Sequence, residues 1–441
     1  FPFLILYLAL ALCCGVIIML GELALGRKTG HGAVGAYQSI SKRFKWLGWL
    51  GIAAAALIFS FYSALGGYCL RYVVVNFGNL IGAEFGTNGV GGADVFQGLL
   101  SQPDVSIAFA LAFMFITMLV VMSGVGGGIE RVCSVGMPAL FFILIICIIR
   151  SCTLPGAADG LKYMFVPGWA VANGIIDEAP GFWRVLTAAG GQMFFSLSLG
   201  AGVMITYGSY LDKKQDLGKS TMIIVGMDTV VALMAGLCVI PGRFALDPNG
   251  ALGGPELLFI TMQNVFDKMG PAGPVFGILF YLLVFFAAIS SSISMLEVIV
   301  AHFCDKAREK GKGDRRKLYS AIVVVICAAL CALVCADGMG SNHISPAELL
   351  GLAGAKLPGW STSWLGLFDS VAEGLLMPLG ALLMCLMISW ELKPDVLRQE
   401  ILLNGENRPW VYDFFRLCVK YITPLCMLMI LYGQISDFFI A

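Results

Sequence analysis

Ten apolar stretches long enough to cross a bilayer alternate with polar connections, at about 1–25, 46–77, 106–123, 137–153, 183–210, 220–241, 273–303, 318–336, 367–391 and 412–440. Each predicts a membrane helix, and the longest predict tilted helices or helices running past the hydrocarbon. One stretch breaks the pattern. Within 183–210, the run Gly191-Gln-Met-Phe-Phe-Ser-Leu-Ser-Leu-Gly-Ala-Gly202 puts two serines, a glutamine and three glycines at membrane depth. Backbone groups left unpaired in lipid cost several kcal/mol each, so a helix interrupted there must face protein, ligand or ions. It predicts a binding site.

Composition agrees. The chain is 59% apolar and 13% charged, with a mean hydropathy of +0.86, which excludes an ordinary soluble domain. Its 28 basic and 28 acidic residues balance, so nucleic acid is not a natural partner. The 14 cysteines lie mostly inside apolar runs, as at Cys13, Cys14, Cys147 and Cys327, and form no CxxC pair. They read as small hydrophobes in a reducing context. The three histidines, His31, His302 and His343, are scattered, and neither an HExxH, a nucleophile-base string nor a P-loop is present. An enzyme is therefore not expected. His302 closes an apolar helix, where snorkelling or capping is the ordinary role.

Basic residues fix the orientation. One set of alternate connections holds Arg27, Lys28, Lys42, Arg43 and Lys45, then Arg131, then Lys213, Lys214 and Lys219. It continues with seven between Lys306 and Lys317, then Lys393, Arg398, Arg408 and Arg416. The opposite set holds Lys162, Arg243, Lys268 and Lys356, and 78–104 holds none. The first set is predicted to be cytoplasmic, so residue 1 and the C-terminal end lie outside. A cytoplasmic N-terminus then needs an eleventh span before Phe1. The long outer connections, 154–182, 242–272 and 338–366, are expected to pack as lids.

Several strings converge on one family. Gly21-Glu-Leu-Ala-Leu-Gly-Arg27, Gly128-Ile-Glu-Arg131 followed by Met137-Pro138, Ala158-Asp-Gly-Leu161, Gln192 to Gly202, Ile205-Thr-Tyr-Gly-Ser-Tyr210 and Ser290-Ser-Ser-Ile-Ser294 occur in order. Together they resemble the neurotransmitter:sodium symporters, and among them the bacterial amino-acid branch that includes the leucine transporter. The resemblance covers 1–441 as a single transmembrane transporter domain. It implies an all-α polytopic membrane protein with the inverted five-helix repeat, holding substrate and sodium at the midplane. It also places Phe1 at the start of the family's second helix, so the first helix is expected outside this chain.

By the same resemblance two sodium ions are expected, since hard oxygen ligands suit a small cation. Ala287, Ser290 and Ser291 match one site, and they share a helical face. The alternative is that Ser290 to Ser292 only bond their own backbone. Ser196 and Asp228 match the second site. Asp228 stands in the apolar run Val225-Gly-Met-Asp-Thr-Val-Val-Ala, where an unpaired acid costs ~3 kcal/mol. Chloride-dependent relatives hold an anion with groups matching Tyr7, Gln192, Ser196, Asp228 and Ala232. Here a carboxylate fills that shell and Ala232 offers no hydroxyl, so no chloride is expected. The alternative is a protonated Asp228 that only bonds a neighbouring helix.

For the organic substrate the pattern points to Ile58, Tyr62, Phe195, Ser198, Ala201, Ser291 and Met295. Tyr62 would bond the substrate carboxylate and Phe195 would close over it. A small residue at 201 leaves room for a bulky, even aromatic, side chain unless a neighbour refills the space. Glu22 and Glu297 are expected to neutralise backbone or basic groups near the inner gate. Asp369, with Glu373 one turn on, matches the family's acidic outer gate. The implied function is a sodium-coupled symporter importing a small apolar or aromatic amino acid across a bacterial cytoplasmic membrane by alternating access. The rivals are an amino-acid sensor on the same fold and a proton-coupled carrier. Substrate and bilayer are the partners implied.

Overall fold

The computed structural model describes residues 2–250, 253–313, 315–351, 359–392, 396–402 and 409–439. Phe1, Lys356, Lys393 and Arg408, used above, lie outside them. Among the described residues nine helices are long and apolar enough to cross a membrane. They are α1 (Pro2–Thr29), α2 (Lys42–Ile81), α3 (Pro103–Met122), α4 (Val125–Cys152), α7 (Leu217–Leu246), α8 (Gly270–Glu309), α9 (Arg316–Gly340), α10 (Trp364–Glu391) and α11 (Pro409–Ser436). The tenth predicted span is two half-helices, α5 (Phe182–Ser196) and α6 (Val203–Gly208), each too short to cross alone.

Local chemistry sets the helix ends. α1 carries Arg27 and Lys28 in its last turn and stops at Gly30, whose φ of +67° suits glycine at a C-terminal cap. Asp216 caps α7 by accepting the Lys219 N–H, and Ser363 caps α10 by accepting the Gly366 N–H. Pro103 opens α3, where its missing N–H costs nothing.

Packing sorts the helices into two groups. α8 lies along α2, with α3 and α9 against the same pair, while α5, α6 and α7 gather on α1. α4 touches both α7 and α8, and α10 bridges α2, α5 and α11. At Gly67 of α2 a Cβ would sit 2.5 Å from the Ala110 nitrogen, so glycine alone lets α3 approach this closely. The outer segment 254–268 folds onto α2 and α8 through an aromatic cluster of Tyr68, Tyr72, Phe259, Phe266 and Tyr281. There the Tyr281 hydroxyl donates to the Leu258 carbonyl at 3.0 Å, and Asn76 of α2 donates to Gln263 at 2.9 Å. This connection packs down on α2 and α8.

Buried ion pairs knit the ends of α1, α8 and α9 that carry the basic connections. Arg27 pairs with Glu400 at 2.8 Å and donates to the Gln215 carbonyl, joining α1 to the α6–α7 connection and to the segment before α11. Glu297 of α8 receives two hydrogen bonds from Arg316 of α9, at 2.5 and 3.0 Å, and one from the Tyr210 hydroxyl at 2.6 Å. Glu297 thus neutralises a basic group, as expected. Removing one member of such a pair leaves the other charged and dry, which costs ~3–5 kcal/mol. Arg316→Ala should therefore lower the thermal midpoint in detergent sharply. Arg308→Ala, which breaks a largely exposed contact with Asp305, should change stability by less than ~1 kcal/mol. Equal midpoints for the two variants would refute the buried-pair account.

Candidate functional site

Helix α5 stops at Ser196 and α6 resumes at Val203, so the interruption falls within the polar run. Three residues of the connection have positive φ: Ser198 at +52°, Gly200 at +78° and Gly202 at +75°. For serine this is an uncommon conformation that the surroundings must hold in place. At Gly200 a Cβ would lie 2.2 Å from the Met377 carbonyl oxygen, so glycine admits α10 directly onto the break. The freed Gly200 N–H donates to Glu22 Oε1 at 2.8 Å. Glu22 is 1% exposed and its Oε2 has no partner among the described residues. Its partner is thus backbone at the break and not a basic group.

Beside the break the structure joins three helices through one carboxylate. Asp228 of α7 accepts from Ser196 Oγ at 2.7 Å and from the Tyr7 hydroxyl of α1 at 3.2 Å, both on Oδ2. Tyr7, Gln192, Thr229 and Ala232 line an adjoining, mostly apolar cavity of about 580 Å³. All five residues matched to the anion shell therefore gather here. The acid has neutral hydroxyl donors and no basic partner among these contacts, so an ionised carboxylate here would rely on protein dipoles alone. A cation would complete the cluster.

On α8, Ser290 Oγ donates to the Ala287 carbonyl at 2.8 Å, which is the self-bonding alternative. Ser294 bonds the Ser290 carbonyl at 3.1 Å and meets the Tyr207 hydroxyl of α6 at 2.8 Å. The two predicted oxygens, on 287 and 290, are thus within one coordination shell of each other, with the hydroxyl proton between them. Tyr207 is a contact the sequence reading missed. Its string is quoted in the resemblance, but nothing in the spacing points Tyr207 at α8.

Of the predicted substrate residues, the structure brings together Tyr62 of α2, Phe195 beside the break and Ser291 of α8. The Tyr62 and Phe195 rings face each other with centroids 6.1 Å apart, and Tyr62 adjoins Ser291. Ile58, Ala201 and Met295 are buried in the same core cluster. Ala201 backs onto Gly51 of α2, whose Cβ would lie 3.1 Å from the Ala201 carbonyl. Asp369 and Glu373 sit apart, on α10. Glu373 faces α5 beside Gly191 and Gln434, so this acidic pair adjoins the first half of the broken helix.

Comparisons with known proteins agree with this arrangement. The model of the sodium:neurotransmitter symporter family matches residues 2–88 and 94–439. The uncharacterized sodium-dependent transporter YhdH of Bacillus subtilis is 34% identical over 446 residues, covering 98% of this chain and 90% of that protein. An uncharacterized sodium-dependent transporter of Haemophilus influenzae is 28% identical, covering 97% and 89%. Among solved structures, MhsT in complex with L-phenylalanine superposes with a TM-score of 0.81 at 31% identity, covering 98% of this chain and 91% of that one. The broken helix, the carboxylate beside it and these matches lead to one conclusion: the chain belongs to the sodium:neurotransmitter symporter family, a family of sodium-dependent membrane transporters.

Proposed function

We propose that this chain couples inward sodium movement to uptake of an apolar amino acid, with room for an aromatic side chain, by alternating access. The observation that carries the reading is the juxtaposition at the break. The paired Tyr62 and Phe195 rings stand next to Ser196, whose hydroxyl bonds the Asp228 carboxylate. Substrate would lie between the rings, its carboxylate on the Tyr62 hydroxyl and its side chain against Ile58, Ala201 and Met295. The Phe195 ring would cover it, and Ser198 would contribute at the turn. The phenylalanine in the MhsT complex supports an amino acid of this class.

One sodium ion would sit on Ser196 and Asp228, where the carboxylate supplies the full charge that the neutral donors lack. A second would sit on the Ala287 carbonyl with Ser290 and Ser291. Rotation of the Ser290 hydroxyl away from Ala287 frees both oxygens for one ion. Asp369 would close the outer side. Tenfold sodium gradients supply ~1.4 kcal/mol per ion. Each 100 mV adds ~2.3 kcal/mol per charge, so two ions suffice for strong accumulation.

Radiolabelled phenylalanine uptake into proteoliposomes tests the whole reading. An inward sodium gradient should drive accumulation, and replacing chloride with gluconate should leave it unchanged. Asp228→Asn should reduce uptake about 100-fold or more, the scale of stripping a buried charge of its partner. Sodium-stimulated binding without uptake would indicate a sensor, and chloride-dependent uptake would overturn the role of Asp228.

For the second ion, Ser290→Ala with Ser291→Ala should raise half-saturating sodium about tenfold, a loss of ~0.7 kcal/mol for each hydroxyl ligand. An unchanged sodium dependence in the folded variant removes these residues from the site.

Pocket size is tested by Ala201→Val. The added methyl groups should weaken competition by phenylalanine and tryptophan about tenfold while sparing alanine. Equal loss for all three amino acids would take Ala201 out of the pocket.

A further inference from the structure

The cytoplasmic ends of α2 and α8 form a patch that the proposed transport path does not use. Trp46 and Trp49, one turn apart at the start of α2, are 48% and 42% exposed. Exposed tryptophans at a helix end sit at the headgroup level of a bilayer. Trp49 stands edge-on to the His302 ring of α8, with centroids 4.9 Å apart. His302 is more than nine-tenths buried, and its Nε2 has no partner among the described residues. Buried polar atoms are normally paired, so this nitrogen points to a missing ligand.

Two cations, Lys45 and Lys306, lie within electrostatic reach of the same ring. The nearby acids are already engaged. Asp305 accepts the Gly32 N–H at 2.9 Å and contacts Arg308, and Glu309 faces His31 at 3.8 Å. Lys45 and Lys306 are exposed and in no ion pair among the described residues. Across 42–45 and 305–309 the cations Lys42, Arg43, Lys45, Lys306 and Arg308 outnumber the acids Asp305 and Glu309, so the patch has excess positive charge, an aromatic edge for the membrane interface and an unsatisfied nitrogen.

From this juxtaposition we propose that the patch binds the headgroup of an anionic phospholipid from the cytoplasmic leaflet. Lys45 and Lys306 hold the phosphate, His302 supplies a hydrogen bond, and Trp46 and Trp49 lie against the glycerol and upper acyl chain. Charge complementarity favours an anionic lipid over a zwitterionic one. The tryptophans favour a lipid over a free anion.

Native mass spectrometry of the full chain in detergent, titrated with dioctanoyl phosphatidylglycerol or dioctanoyl phosphatidylcholine, tests the assignment. A basic group near an anionic surface contributes about fivefold. Lys45→Gln with Lys306→Gln should therefore weaken phosphatidylglycerol binding about 25-fold and phosphatidylcholine binding, whose choline offsets its phosphate charge, at most about fivefold. Lys310→Gln with Lys312→Gln removes the same charge from the adjoining loop and should change it less than about twofold. Inorganic phosphate should not displace the lipid. The proposal is overturned by equal wild-type affinity for the two lipids. Equal losses in the two double variants, which would mean a diffuse field, or displacement by phosphate would overturn it as well.

Discussion

A peptide group inside a bilayer has no water to bond, so every interruption of a membrane helix must be satisfied from within the protein. The rest of this structure depends on how that requirement is met between Ser196 and Val203. Glu22 reaches from α1 to take the Gly200 N–H, and α10 presses its Met377 carbonyl against the same glycine. With the break held on two sides, its hydroxyls and carbonyls turn toward α7 and α8. There Asp228 and Ser290 supply the remaining oxygens. The polarity gathered at membrane depth is thus the residue of a backbone-bonding problem.

The ends of the helices that carry Arg27 and Arg316 are governed by a different economy. Arg27 with Glu400, and Glu297 with Arg316 and Tyr210, are dry pairs whose net stabilisation is small, because desolvation offsets most of their attraction. Their value lies in geometry. Each guanidinium accepts only a narrow set of positions for its partners, so the connections between helices are registered where the helices themselves have only apolar contacts.

Much of this arrangement is legible in the order of residues. Nine spans follow from hydropathy, and the tenth is betrayed by Gly191, Ser196, Ser198, Gly200 and Gly202 in one apolar stretch. Asp228 stands out because an acid in a run of valines and methionine needs a reason. What stays hidden is the contacts between distant segments that the family pattern does not carry. Gly200 and Glu22 are 178 residues apart, and neither carries a local sign of the other. Hydroxyl direction is hidden too. Ser290 occupies the face its spacing predicts, yet its proton goes to the Ala287 carbonyl, a choice made by rotation about a single bond. The outer aromatic cluster is invisible for the first reason, since Tyr72, Phe259 and Tyr281 come from three separate segments.

Helices α2 and α8 each run for 40 residues. At 1.5 Å per residue that is about 60 Å, twice the hydrocarbon thickness. Packed along each other, they act as one stiff beam with a lever arm of about 30 Å on either side of its centre. A tilt of about 10° about that centre would carry each tip through about 5 Å, more than the width of a water molecule, while the centre scarcely moves. Length beyond the membrane therefore works as mechanical gain. Small rearrangements near the centre become large displacements at the two ends.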